Sequence, residues 1–330
     1  MGNWDFNFPE DHAMHPDARI EWWHYVGNVK SETGERFGFQ VTFFRKKVVG
    51  RHAFIVHMAI SDINGKRYLF AEKKTRHATV IDTPFSVCAK GCFMSVGERG
   101  YTRLLAECDN FSFDLGLLSL GDPVHHSKKG YYSLTDIRAT GEIRINDRIF
   151  EVDGSAWMDH EFFTAWMDPK IVGWDWFGLR LSDDAQLMIY KLRFKNGAHH
   201  PTSSGTLVQN GCGTHLPNGS VIVKSIFNKG IYPAAWNISV PAHQIDLLVS
   251  PNLPGQECRS SFLDSNYQEA SVSVSGTHSG QGYAELTGYD KPFRAISKRQ
   301  NLTHYFIVGK KMLSNLGRIG KYVHPNREAI

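Results

Sequence analysis

An all-β protein built from two copies of one antiparallel architecture is the fold this sequence predicts, and three observations predict it. A tryptophan-rich unit occurs twice. Glu21-Trp22-Trp23-His24-Tyr25-Val26-Gly27 leads through a glycine-containing turn into Phe37-Gly38-Phe39-Gln40-Val41-Thr42-Phe43-Phe44-Arg45. Trp174-Asp175-Trp176-Phe177-Gly178-Leu179-Arg180-Leu181 leads through Ser182-Asp183-Asp184 into Leu187-Met188-Ile189-Tyr190-Lys191-Leu192-Arg193. Helical periodicity is nearly absent: Ala53-Phe54-Ile55-Val56-His57-Met58-Ala59-Ile60 is a β-type run, and Ser271-Val272-Ser273-Val274-Ser275-Gly276 alternates strictly. Turn signals recur at short intervals, among them Asn64-Gly65, Gly121-Asp122-Pro123, Asn196-Gly197, Asn218-Gly219 and Pro254-Gly255, the spacing of hairpins closed into barrels or sandwiches.

Taken along the chain, Glu21 sets a carboxylate at the start of the first aromatic strand, within reach of a strand-end arginine such as Arg45. His57, in Ile55-Val56-His57-Met58, faces either the core or a cavity. Tyr131-Tyr132-Ser133 brings hydroxyl donors. Over 156–166 the sequence suggests one helical turn. The chain divides between Asp168-Pro169 and Gly173, just before the second aromatic strand, into domains 1–170 and 171–330; no low-complexity linker marks the seam, so the halves are expected to pack together. In Trp174-Asp175-Trp176, alternation places both tryptophans on one face and Asp175 on the other. Gly282-Tyr283-Ala284-Glu285-Leu286-Thr287-Gly288-Tyr289 adds phenols and a carboxylate, and the tail from Arg318 reads as irregular.

Composition narrows the function classes. With 330 residues, 42% hydrophobic and 21% charged, the chain has room for two cores. A net charge of +4, with no long run of Lys or Arg, argues against a nucleic-acid groove. No stretch reaches the ~20 apolar residues that a membrane-spanning helix needs. Met1-Gly2-Asn3-Trp4-Asp5 lacks a basic-then-apolar export signal, so a cytoplasmic location is expected. The five cysteines have no metal-like pairing and read as free thiols.

The densest polar cluster is Ser155-Ala156-Trp157-Met158-Asp159-His160-Glu161-Phe162. Three adjacent ionisable side chains between aromatics are costly to bury unless paired or used. A histidine flanked by carboxylates can exchange a proton; equally, such a network can pin a strand end. There is no Gly-x-Ser-x-Gly elbow, phosphate loop, dinucleotide fingerprint or His-Glu-x-x-His helix. His125-His126 and His199-His200 lie in polar loops without a carboxylate companion. Neither cofactor nor metal is expected, and the chemistry is assigned to side-chain acids and bases, shape and desolvation.

Taken together and in order, Glu21-Trp22-Trp23, Arg36 to Arg45, Tyr131-Tyr132-Ser133, Ala156-Trp157-Met158-Asp159-His160-Glu161, Gly173-Trp174-Asp175-Trp176 and Gly282 to Tyr289 resemble the AttH-like, carotenoid 1,2-hydratase-related lipocalin-like family. The resemblance runs over about residues 8–290. It implies two lipocalin-like antiparallel β-barrel domains in tandem, with a ligand pocket in or between them. It also implies a choice of activities, because some relatives hydrate a terminal double bond of acyclic carotenoids and others are cofactor-free cyclases, including Diels–Alderases, of natural-product pathways. Two positions depart from the family pattern: Phe162 and Gln268 stand where tryptophan is common.

The leading expectation is therefore a cofactor-independent cyclase that folds an apolar polyene or polyketide, with a hydrogen bond from Tyr132, His160 or Tyr283 polarising the reacting system. The second is a hydratase in which His160 or Asp159 protonates an alkene and Trp174 and Trp176 stabilise the cation. The third is a carrier of a lipophilic small molecule. The candidate catalytic residues are Asp159, His160, Glu161 and Tyr132; the candidate ligand-lining residues are Trp22, Trp23, His57, Trp157, Trp174, Trp176, Tyr190 and Tyr283.

Overall fold

The computed structural model describes residues 4–48, 51–97, 100–126, 130–164, 168–228, 230–261 and 266–292. The expected irregular tail from Arg318 lies outside them. Among the described residues there is no α-helix, and no helix is long and apolar enough to cross a membrane.

Twelve strands form the first sheet: β1 (Ile20–Ser31), β2 (Arg36–Val48), β3 (Arg51–Asp62), β4 (Arg67–Thr75), β5 (Thr79–Asp82), β6 (Phe85–Ala89), β7 (Cys92–Val96), β8 (Tyr101–Glu107), β9 (Phe111–Ser119), β10 (Val124–His125), β11 (Tyr131–Ile145) and β12 (Arg148–Phe163). Their order is β4-β3-β2-β1-β12-β11-β9-β8-β7-β6-β5, with β10 on β11. The second sheet holds β13 (Ile171–Leu181), β14 (Gln186–Phe194), β15 (Ser204–Gln209), β16 (Cys212–Leu216), β17 (Ile222–Ile226), β18 (Ala235–Val240), β19 (Ile245–Pro251), β20 (Glu257–Cys258), β21 (Tyr267–Gly276) and β22 (Gly280–Thr287). Its order, β16-β15-β14-β13-β22-β21-β19-β18-β17, repeats that of the first, so β13 stands where β1 does and β22 where β12 does. Each sheet is antiparallel and curls into a half-barrel. The twice-occurring tryptophan unit is thus the central hairpin of each.

Alternation assigns the faces. In β1, Trp23, Tyr25 and Val29 enter the first core with Phe37, Phe39, Val41 and Phe43 of β2 and Val56, Met58 and Ile60 of β3. Phe177, Leu179 and Leu181 of β13 enter the second core, where the Trp236 ring meets Phe177 edge-on at 5.3 Å. The inward aromatic side chains of these strands thus belong to two packed apolar clusters, one in each half. The opposite faces of β1, β12, β13 and β22 pack on one another and share a third apolar cluster of Val26, Tyr131, Trp157, Trp176, Met188 and Tyr283. The approach is close: a Cβ on Gly38 would lie 2.6 Å from both the Tyr283 hydroxyl and the Ser271 Cβ.

The helical turn expected over 156–166 is not formed. The segment through Phe163 is the end of β12, because its side chains alternate between two buried environments, the first core and the second sheet. Trp166 lies outside the described residues.

The expected Glu21–Arg45 pair is present. The two residues sit directly across β1 and β2, both fully buried, with Arg45 Nε donating to Glu21 Oε2 at 2.7 Å. Arg45 Nη2 also donates to the His15 and Ala18 carbonyls, each at 2.9 Å, tying down the chain before β1. Burial opposes ionisation of Glu21. Hydrogen bonds with His15 and His160 and the charges of His160 and Arg45 outweigh it, and its carboxyl is held down to about 2. The second half repeats the device: Arg193 Nε donates to Asp175 Oδ1 at 3.1 Å, and the Arg193 guanidinium lies over the Tyr289 ring.

Removing Arg45 leaves a buried carboxylate uncompensated, so Arg45→Met is expected to cost about 3–5 kcal/mol in chemical denaturation. Arg138→Met, at an exposed pair with Asp153, should cost no more than about 0.5 kcal/mol. A depressed carboxyl adds stability that is present above its ordinary value of 4.5 and lost as pH falls toward about 2. Glu21→Gln should therefore flatten the pH dependence of stability in that window.

Candidate active site between the two sheets

The registers build the site in two facing rows. Across β3, β2, β1, β12 and β11 they align His57, Thr42, His24, Asp159 and Ser133. Across β14, β13, β22 and β21 they align Tyr190, Trp176, Glu285 and Glu269. All project away from their own barrel core, so packing the sheets brings the rows together. His24 Nε2 lies 3.0 Å from Glu269 Oε1, and the His24 ring meets Trp176 edge-on at 5.4 Å. Trp174 Nε1 donates to Glu285 Oε1 at 2.8 Å, and Thr287 Oγ1 donates to the same oxygen at 3.2 Å. Tyr131 links the sheets, donating to Asp159 Oδ2 at 2.7 Å while accepting from Trp176 Nε1 at 3.1 Å.

Hydrogen bonding is uneven across this layer. Asp159 is saturated: besides Tyr131 it accepts from Trp157 Nε1 at 2.6 Å and from Ser133. By contrast, His24 Nε2 and Glu269 Oε2 are buried with no well-aligned hydrogen bond, the contact of His24 with Glu269 being an ion pair of poor angle. Most buried polar atoms are hydrogen-bonded, and these two are exceptions, as are Trp236 Nε1 in the second core and Gln268 Oε1. Burial alone pushes the His24 imidazole down, but the adjacent Glu269 carboxylate, then Glu285 and Asp159, raise it to about 9. Burial, reinforced by the Glu269 charge, pushes Glu285 up to about 7 against the opposing effects of His24, Trp174 and Thr287. Burial also raises Asp159, opposed by His24 and its three donors. The layer therefore favours a histidinium beside Glu269 and a carboxyl, Glu285, that holds its proton to well above the ordinary carboxylate range.

The sequence-predicted residues separate by strand parity. Asp159 and Glu161 face the second sheet, whereas His160 and Tyr132 point into the first half-barrel. There His160 Nε2 contacts Glu21 at 3.0 Å and its Nδ1 contacts the Tyr132 hydroxyl at 3.1 Å, while Tyr132 meets His12 Nδ1 at 2.6 Å. Trp23 is inside as well, stacked 4.8 Å from His160. Trp22, Trp157, Trp174, Trp176, Tyr190 and Tyr283 lie on the inter-sheet side, with Trp22, Trp174 and Tyr190 half-buried, as are Glu161 and Glu285. His57 is on that side too, bound to Tyr267 and Glu72. Val26, Trp157, Gly178, Arg180 and Tyr283 help line a cleft of ≈ 280 Å³, open mouth included, between the sheets.

Sequence reasoning missed His24, Glu269, Tyr267 and Glu72 as site residues, and it quoted Glu285 only as part of a motif. Period-2 parity was the available signal, since His24 shares a face with Trp22 and Glu285 shares one with Tyr283.

Two side-chain sets have metal-ligand geometry among the described residues: His15, Glu21 and His160, and His24, Glu269 and Glu285. The first already receives the Arg45 guanidinium on Glu21, a cation in place. In the second, His24 Nε2 lies 3.0 Å from Glu269 Oε1.

Since Glu269 and His24 act on Glu285 in opposite senses, carboxyl-carbon NMR of Glu285 should show a midpoint near 7 that falls in Glu269→Gln and rises in His24→Gln. An unshifted midpoint in both variants would show that the three groups are not coupled.

The sequence model of the AttH-like family matches residues 1–289. A candidate AttH from Nitrosomonas europaea has a similar solved structure, with TM-score 0.79 and 26% identity over 86% of this chain and 97% of its own. Kievitone hydratase from Nectria haematococca is similar at TM-score 0.70 and 14% identity, over 86% of this chain and 92% of its own. CghA, solved with Sch210972, is similar at TM-score 0.55 and 11% identity, over 83% and 92%. The last two likenesses concern the fold alone. A search of the curated proteins found no match.

Proposed function

The chain belongs to the AttH-like family, and from that premise we propose that it is a hydratase, adding water across a double bond of a lipophilic small molecule held between the two half-barrels. One observation carries this reading: buried His24 and Glu269, each with an unpartnered side-chain atom, converge with half-buried Glu285 against the indoles of Trp174 and Trp176. Hydration of an unactivated alkene needs a proton donor in a dry site beside a surface that tolerates a carbocation. Glu285 supplies the donor, its carboxyl near 7 matching neutral pH. The faces of Trp174 and Trp176 supply the surface, through the attraction of a cation to an aromatic quadrupole.

In the proposed step Glu285 transfers its proton to one alkene carbon, and the π pair becomes the new C–H bond. The neighbouring carbon becomes cationic, water adds to it, and the adding water releases one proton. That proton balances the one Glu285 gave, so the net change is one water added across one double bond. Glu269 holds His24 as a histidinium, and His24 in turn limits how far Glu285 is pushed up. The likeness to kievitone hydratase agrees with this reading without choosing it.

The runner-up is the cyclase of an apolar polyene or polyketide. It is favoured by the half-buried aromatic rim of Trp22, Phe44, Trp174 and Tyr190, which suits a folded hydrocarbon better than a single reacting bond.

Heavy water separates the two, using kievitone and an acyclic carotenoid, lycopene, as probes. The hydratase should place one solvent deuterium on carbon in the product, and Glu285→Gln should lower turnover by about 10²–10⁴-fold with the fold retained. Product free of carbon-bound deuterium, or a Glu285→Gln variant at the wild-type rate, would overturn the assignment.

A further inference from the structure

In the hydratase reading Glu285 gives a proton to the alkene, and the carboxylate left behind is the base at hand for the proton of the adding water. A carboxyl has two oxygens, and its neighbours decide which of them does this work. Trp174 of β13 and Thr287 of β22 stand directly across from each other, and Trp176 and Glu285 form the next cross-strand pair on the same face. Both side-chain donors to Glu285 therefore come from the adjoining rung of the ladder. Trp174 Nε1 donates to Oε1 at 2.8 Å, and Thr287 Oγ1 donates to the same oxygen at 3.2 Å.

These two bonds place the proton. An indole N–H donates and never accepts, so it holds Oε1 as an acceptor. With Thr287 on the same atom, both lone pairs of Oε1 are taken, and a proton there would have to displace a donor. The proton of Glu285 is accordingly carried on Oε2. Thr287 is buried and fixed in the sheet, so its hydroxyl arrives at Oε1 from a rigid element. The Trp174 bond also sets the ring. An indole N–H lies in the ring plane, so an edge that donates to Oε1 leaves the two faces of Trp174 on either side of that bond, open to a neighbouring cationic carbon.

We propose that Trp174 and Thr287 are positioning residues of the hydration, keeping Glu285 Oε1 a permanent acceptor so that Oε2 alone serves first as the acid toward the alkene and then as the base toward the adding water. This rests on the hydratase reading. The step balances: Oε2–H breaks as the π pair becomes a C–H bond, the water oxygen bonds to the cationic carbon, and one water O–H breaks as Oε2–H forms again. No second base is needed, and Glu269 stays beside His24 throughout. Between the two transfers the Glu285 carboxylate is the counter-charge of the carbocation, and the two donors on Oε1 stabilise it in that state. The same donors oppose the upward push of burial and of Glu269 on the Glu285 carboxyl, so removing either one raises its midpoint.

Three measurements on the full chain test this. Nitrogen-15 NMR of tryptophan-labelled protein should show the Trp174 indole N–H hydrogen-bonded both below and above the Glu285 midpoint, with a shift that follows that midpoint and stops following it in Glu285→Gln. Loss of this bond below the midpoint would put the proton on Oε1 and overturn the proposal. In carboxyl-carbon NMR, Trp174→Phe, which keeps an aromatic face, and Thr287→Val, which keeps the shape, should each raise the Glu285 midpoint. In the kievitone and lycopene assays both should lower turnover by about 10–10²-fold. Because the acid form is required, the rate falls as pH rises through the midpoint, so this limb should move to higher pH in both variants and stay in place in Thr287→Ser. A role in packing alone would leave the limb unmoved. An unmoved limb and midpoint in both variants, beside a wild type that places solvent deuterium on carbon, would overturn the positioning role and leave the hydratase standing. Glu285→Gln at the wild-type rate, or a wild type that places no solvent deuterium on carbon in either probe, would overturn both.

Discussion

The constraint on which this structure depends is that its central strands are buried on both faces. A half-barrel alone would bury one face of β1 and leave the other to water, so the second face would be free to carry polar groups. Packing the sheets against each other removes that freedom, and every polar side chain on the shared face must then be paired or neutralised. The layer meets the demand in three ways. Asn28, Ser61, Tyr131 and His126 bond across it to Gly282, Gln256, Trp176 and Thr206. Asp159 is saturated within it. The His24, Glu269 and Glu285 set is neutralised in part by charge and in part by protonation.

The charge count of that set explains why an acid persists there. Asp159, Glu269 and Glu285 ionised together beside a single histidinium would leave two uncompensated negative charges in a largely buried layer. One carboxyl must rise most, and the hydrogen bonds decide which. Asp159 receives three donors on its two oxygens. Glu269 keeps the direct charge of His24. Glu285 receives both of its side-chain donors on one oxygen. It is therefore the carboxyl that holds a proton near neutrality, raised first by burial and then by the Glu269 charge against His24, Trp174 and Thr287.

Much of the fold was legible because it is written in short-range pattern. Alternation, turn spacing and the repeated hairpin specify strands and their duplication, and Glu21 with Arg45 was readable because an inward carboxylate at one strand start needs an inward cation at the neighbouring strand end. The site was less legible for the same reason. Asp159, His160 and Glu161 look like one cluster in the sequence, but period-2 geometry sends the middle residue to the opposite side of the sheet, where it joins Glu21 and Tyr132. His24 and Glu269 are separated by most of the chain. What joins them is neither spacing nor periodicity but the registers of four strands and the docking of one curled sheet on the other. The relation of Asp175 to the flanking tryptophans needed only local parity and was read correctly, whereas the partners of His57 needed the neighbouring strand and the opposing sheet.

Duplication also accounts for the asymmetry of the site. The two halves share one strand order and one device, an inward carboxylate gripped by the arginine ending the next strand. They cap it differently: the first uses the chain before β1, through His15 and Ala18, and the second uses Tyr289 beyond β22. Because these locks face the two cores, they leave the shared layer unconstrained by the repeat. The equivalent outer faces have accordingly diverged, β1 presenting Trp22, His24 and Val26 while β13 presents Trp174, Trp176 and Gly178. Two identical faces would set like groups against like, with histidinium opposing histidinium. Divergence instead sets an imidazole from one half against carboxylates and indoles from the other, so the proton-bearing set exists only where the halves meet and neither half contains it alone.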